Sequence, residues 1–324
     1  MTDQLLARIE EILWSDGPRQ DVWIVVDGAR TIDVFRMLIE CHLEYTCLYS
    51  GPLSPDLEIA APYLVQLDYG YRDTRRFIRR AWGESLGVFF KSDTSLKKLK
   101  RHLKEFLVVR DEKGRRLMFR YYDPRVLRVY LPTCVAAELR TVFGPIECFW
   151  VEDESGENVQ EFHLYRFNLV QSTLSLASTT PRSRPPFDGA RSQMSDGEGR
   201  PFRTLTVRNE QLVAFSRAEA RKFEDWMLCH LRQFFAPQCQ FLDEQEIRQR
   251  VGHGISRAAS YGITGQRDVC KYIQLMTVFG LDFDTDQRFP WASEVLRVPD
   301  RSGTKSEAKI LALQQAALGH LRGA

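Results

Sequence analysis

The chain has 324 residues, 44% hydrophobic and 27% charged, the balance of a soluble globular protein with enough core for two domains. Seven scattered cysteines without a CxxC pair fit a reducing, cytoplasmic compartment rather than a disulfide framework. The acid-bearing N-terminus reads as no signal peptide, and no run approaches the ~18 apolar residues of a membrane span. The net charge of +2 conceals a polarised chain: Arg72 to Arg128 holds 18 Lys/Arg against 7 Asp/Glu, a local +11 that leaves −9 on the remainder.

Leu5, Ile9, Ile12 and Leu13 make a helical stripe, ended by Gly17-Pro18. The run VWIVVD at 22–27 reads as a buried strand closing at Gly28, and Thr31–Leu43 as a helix. Tyr45–Tyr49 and Pro62–Leu67 are further strands, divided by the turn-rich SGPLSPD, and a helix spans Asp73–Trp82. Leu86–Phe90 is a strand. Asp93 is expected to cap the helix after it, with Leu96, Leu99, Leu103 and Phe106 at helical spacing and Lys97, Lys98, Lys100, Arg101 and Lys104 on the other sides. Phe106–Arg110 and Arg116–Tyr121 flank Asp-Glu-Lys-Gly, a hairpin signal with Gly114 at the left-handed position. Two short helices bounded by Pro124, Pro132 and Gly144-Pro145 lead to strands at Ile146–Val151 and Val159–Phe167. Strands succeed one another too closely in places for a purely parallel sheet.

From Gln171 to Arg200 the composition turns to Ser, Thr, Pro, Gly and Arg, which reads as a connector. Beyond it the signal is helical. Ser216-x-x-Glu219 reads as a capping box before an inward face of Phe223, Trp226, Met227, Leu231 and Phe234. Asp243-x-x-Glu246 is a second box, on a helix that stops at Tyr261-Gly262. Another helix starts at Thr264 and closes at Gly280, and Lys305–Leu321 is the last. The expected fold class is α+β: a mixed α/β N-terminal lobe over 1–168, a loop or linker over 169–204, and an all-α C-terminal lobe over 205–324.

No residue pattern here carries catalysis. Asp27-Gly28 lacks a surrounding phosphate loop and reads as a turn. His102, His163, His230 and His253 have no His or Cys at i+3 or i+4, so neither a metal nor a cofactor is expected. Cys270 reads as a packed thiol rather than a nucleophile paired with His253. The segment FRYYDPRVL at 119–127 has two open readings. Asp123-Pro124 makes a good helix start, with Asp as N-cap and Pro where its missing N–H costs nothing, and the motif is then a structural corner. Alternatively Arg120, Tyr122, Asp123 and Arg125 face a partner, as Tyr and Arg commonly do. Lys97, Lys100, Arg101 and Lys104 are the other candidate partner-binding side chains, because concentrated charge speeds encounter and selects acidic partners.

Taken together, WIVVDGA, APYLVQL, GVFFKSDTSLKKLKRHLKEFLVVRDEKGRRLMFRYYDPRVLRVYLPT and FGPIECFWVED, with SRAASYGITGQRDVCKYIQLMTVFGLDFD and PWASEVL beyond, resemble the effector adaptor-chaperones of bacterial type VI secretion. These were long filed as a domain of unknown function. The resemblance implies a cytoplasmic, non-catalytic adaptor that binds a secreted effector protein and loads it onto the VgrG spike protein, with no nucleic acid or membrane partner. It carries over no catalytic residues. The alternative from another class is a nucleic-acid-binding protein that uses the basic region 72–128, with Phe119, Tyr121 and Tyr122 stacking on bases.

Overall fold

In the computed structural model, residues 1–31, 33–178, 205–297 and 306–323 are described. Contacts divide the chain into two compact units, Met1–Phe215 and Ser216–Ala324. The first is mixed α/β and the second helical, the fold class expected from periodicity.

The first unit runs α1 (Asp3–Leu13), β1 (Val22–Asp27), α2 (Asp33–Glu40), β2 (Tyr45–Cys47), α3 (Pro55–Ile59), β3 (Pro62–Leu67), α4 (Arg72–Ala81), β4 (Gly87–Lys91) and α5 (Leu96–Lys104). It continues with β5 (Val108–Asp111), β6 (Arg116–Met118), α6 (Pro124–Tyr130), α7 (Ala136–Phe143), β7 (Cys148–Glu152), β8 (Asn158–Tyr165), β9 (Asn168–Ser175) and β10 (Thr206–Val207). Seven strands form one sheet in the order β2-β3-β1-β4-β7-β8-β9, and every neighbouring pair is antiparallel. Because β3 and β4 both oppose β1, they run parallel to each other, and α4 is the crossover that carries the chain past β1.

Alternation along the strands sends side chains to two cores. Val22, Ile24 and Val26 of β1 pack with Leu6, Ile9 and Leu13 of α1, Leu38 of α2 and Phe77 and Ile78 of α4. Trp23 and Val25 face the other way, among Leu99 and Leu103 of α5, Leu127 and Tyr130 of α6, and Val142 and Phe143 of α7. Helices therefore cover both faces, which is why all six residues of β1 are buried. Full burial of such a side chain contributes roughly 1.5–3 kcal/mol.

The hairpin signal at 111–114 is realised as β5–β6, with Gly114 at φ +77° and the Asp111 carboxylate accepting the Lys113 and Arg115 N–H groups at 3.0 and 2.8 Å. It joins a separate sheet of order β10-β5-β6, β10 pairing parallel to β5. Two segments read otherwise from sequence therefore belong to this unit. The linker expected from 169, and the connector reading from Gln171, fail as far as Ser175, because β9 pairs along its whole length with β8. Residues 206–207 are strand rather than the start of the helical part. The rest of the expected linker, from 179 to 204, lies outside the described residues.

The helices α8 (Asn209–Phe234), α9 (Ala236–Cys239), α10 (Glu244–Ser260), α11 (Gln266–Phe279), α12 (Pro290–Leu296) and α13 (Ser306–Gly323) follow. The division between units falls within α8, which runs through Ser216, so that residue is not the N-cap of a helix. The start is held upstream instead, where Gln211 Oε1 accepts the Arg208 N–H at 2.9 Å. The box at Asp243 is real: its carboxylate accepts the Glu246 N–H at 2.7 Å and Glu246 accepts the Asp243 N–H at 2.8 Å. Gly254 lets α10 and α11 approach closely, since a Cβ there would meet Ile273 Cγ1 at 2.7 Å. Met227, Leu228 and Leu231 form the buried side of α8, whereas Trp226 and Phe234, expected inside, are 51% and 62% exposed. Trp226 precedes Met227 by one residue, about 100° around the helix, and a stripe read from apolar residues alone does not settle its own centre.

Candidate functional surface

The segment 119–127 turns the chain from β6 into α6. Its rings go inward: Phe119 lies 4.7 Å from Tyr130 between ring centroids, and Tyr121 lies 5.4 Å from Tyr122 and 5.9 Å from Phe106. The Tyr121 hydroxyl donates to the Leu103 carbonyl at 2.9 Å. Phe119, Tyr121 and Tyr122 are buried, so the base-stacking expected of them in the nucleic-acid reading is denied by packing. Asp123 is the N-cap, accepting the Arg125 N–H at 2.9 Å, with Pro124 at the first helical position. The structural corner is thus realised. Tyr122 and Asp123 are 2% and 3% exposed and serve it, while the guanidiniums of Arg120 and Arg125 are what the motif shows to solvent.

Arg120 reaches back 93 residues to Asp27 at the end of β1, its Nε donating to Asp27 Oδ2 at 3.1 Å and its Nη2 to the same oxygen. Asp27 Oδ1 accepts the Ala29 N–H at 3.1 Å and so also closes the turn at Gly28. Burial raises the Asp27 pKa, and Arg120 offsets this only in part. For Asp123 burial acts the same way, but the bonds from Arg125 prevail and hold its carboxyl below the usual range. Asp27-Gly28 and FRYYDPR each stand out in the sequence, yet nothing there couples them. Their pairing is a product of the sheet, which brings the end of β1 to this corner. Glu152, which sequence reading passed over, is likewise buried and accepts the Gly83 N–H across 69 residues.

The remaining candidates gather on α5. Lys97, Lys100, Arg101 and Lys104, together with Glu105, line an open groove of about 400 Å³. Their spacing of i, i+3, i+4 and i+7 places them on one side of the helix, while Leu99 and Leu103 anchor the other in the core. Ser95, not Asp93, occupies the N-cap position. Lys104 donates to Ser50 Oγ. Among the described residues no carboxylate forms an ion pair with Lys97, Lys100, Arg101 or Lys104. Burial raises the pKa of Glu105, with Arg101 opposing.

The arginines of α4 behave differently. Arg75 holds buried Glu10 at 2.8 Å, Arg80 holds Glu40 at 2.6 Å, and Arg79 pairs with Asp3. Moreover α4 lies on the α1 face of the sheet and α5 on the α6–α7 face. The single basic region of the sequence is therefore divided between opposite faces, and the four basic side chains of the α5 groove are among those that have no carboxylate partner within the described residues. The reason is the crossover: the chain passes through β4 between the two helices, and the strand separates what the sequence lists together.

Inside α5, His102 is directed to the core. Its Nε2 lies 3.0 Å from the Val142 carbonyl, which can only accept, so that nitrogen carries the proton. Burial holds its pKa down to about 4, the bond to Val142 opposing. Among the described residues there is no group of three or more His, Cys, Asp or Glu side chains placed to hold a metal ion, and no helix long and apolar enough to cross a membrane.

No curated protein and no solved structure matches the chain. Residues 22–141, from β1 through α7 and including both Asp27 and the FRYYDPR corner, match the family described as "Domain of unknown function (DUF4123)".

Proposed function

We propose that this protein is a non-catalytic, cytoplasmic adaptor of bacterial type VI secretion, which holds a secreted effector and brings it to the VgrG spike protein. The observation that carries the reading is the match over residues 22–141, since that family is associated with effector adaptors of type VI secretion. The α5 groove supports it. Lysines without carboxylate partners among the described residues suit a surface that meets an acidic protein, where rim charges speed encounter and salt weakens the complex.

The test is affinity purification of the tagged chain co-expressed with the products of its neighbouring genes, at low and high salt. Retention of a spike protein and a toxin is the expected result, reduced as salt rises. Retention of neither, or turnover of a small molecule by the purified chain, refutes the adaptor. The α5 groove also favours a second reading, a phosphate-backbone site for nucleic acid. A mobility-shift assay with generic DNA and RNA separates the two, tight binding with a steep salt slope supporting the second.

A further inference from the structure

Every strand of a sheet except the outermost two has both rows of backbone groups paired, so the edges are where a sheet recruits another chain. Here the edges are unequal. On one side of the large sheet β2 has three residues, and in the small sheet β10 has two and β6 three, the last led by Arg116. Short length and an edge charge are ordinary protections. β9 has neither. It is eight residues long, reads NLVQSTLS, and contains no charge, no proline and no glycine.

The register says which groups β8 leaves unpaired. Leu176 donates its N–H to Glu157, so alternate residues of β9 (Leu174, Ser172, Val170 and Asn168) turn their backbone groups toward β8. Leu169, Gln171, Thr173 and Ser175 turn theirs away, and among the described residues no strand lies beyond them. Gln171 and Thr173 are exposed. At the β8–β9 turn, Tyr165 and Phe167 are 37% and 51% exposed, with Arg166 and Arg140 against their rings. Aromatic and arginine side chains of this kind anchor many protein interfaces.

We propose that β9 is a docking edge on which an extended segment of the effector adds as an eighth strand. Its backbone would pair with Leu169, Gln171, Thr173 and Ser175, and its end would meet Tyr165 and Phe167. The chemistry selects an extended, proline-free segment: the backbone supplies affinity, and alternate side chains continue the two faces of the sheet. This rests on the adaptor reading, which supplies the effector.

The test uses the full chain, alone and in complex with the effector it retains in the co-expression experiment, with residue-resolved amide hydrogen exchange. In the free chain the amides of Gln171 and Thr173 exchange fast and those of Val170 and Ser172 slowly; in the complex all four are slow. Outward amides that are already slow in the free chain, or that stay fast in the complex, overturn the docking edge and leave the adaptor standing. Retention of no effector overturns both. Thr173→Pro removes one outward donor and spares the β8 ladder, so it should weaken retention about tenfold or more, whereas Thr173→Val, which keeps the amide, should bind as the parent does. Equal binding by the two folded variants also refutes the proposal.

Discussion

Replacing Arg120 with methionine removes the guanidinium from Asp27 and leaves a carboxylate that is 1% exposed with, among the described residues, one remaining donor, the Ala29 N–H. Removing one member of a buried ion pair costs about 3–5 kcal/mol, because the other charge stays desolvated. Arg120 is itself 38% exposed, which weakens the attraction it supplied, so the lower end, about 3 kcal/mol, is expected. A second change, Asp27→Asn in the Arg120→Met background, removes the stranded charge and should restore about 2 kcal/mol of it. The assay is urea denaturation at pH 7 of the parent, both single variants and the double, following the transition of the unit Met1–Phe215. A loss below about 1 kcal/mol for Arg120→Met, or a double variant no better than it, would show that the pair is not what holds this corner. Charge reversal at Arg120 would therefore unfold the corner before it reported on any partner.

Other expectations follow from the α5 face and its core side. His102 has a folded pKa of about 4 against an ordinary 6.5, so the unfolded chain takes up the proton first as pH falls. Its contribution is complete above ~6.5 and is lost toward 4. Between pH 7 and 5 the parent should lose about 2 kcal/mol more than His102→Gln in paired urea titrations, and parallel losses would refute the buried, neutral imidazole. Gly144→Ala would set a Cβ 2.3 Å from His102 Cε1 at a residue with φ +47°, so a loss of at least about 1 kcal/mol in thermal unfolding is expected. Lys97→Glu with Lys100→Glu should leave stability within about 0.5 kcal/mol, since both side chains face the open groove, yet weaken and desensitise to salt the capture of partners. Unchanged capture would exclude α5 as the docking face.

What the sequence determined by itself was local. Hydrophobic period and turn chemistry identified β1, β3, the β5–β6 hairpin and the capped starts of α6 and α10, because each is specified by residues within a few positions of one another. Four of the candidate side chains, on α5, were legible for the same reason: helical spacing alone puts them on one side. Tertiary structure decided what depends on distant partners. It paired polar Gln171–Ser175 with β8, exposed Trp226, joined Arg120 to Asp27, and set the basic helices α4 and α5 on opposite faces of the sheet. The physical reason is that period fixes which side of an element is apolar, whereas register and crossover choose what that side meets, and those are settled only when strands far apart in the chain pair.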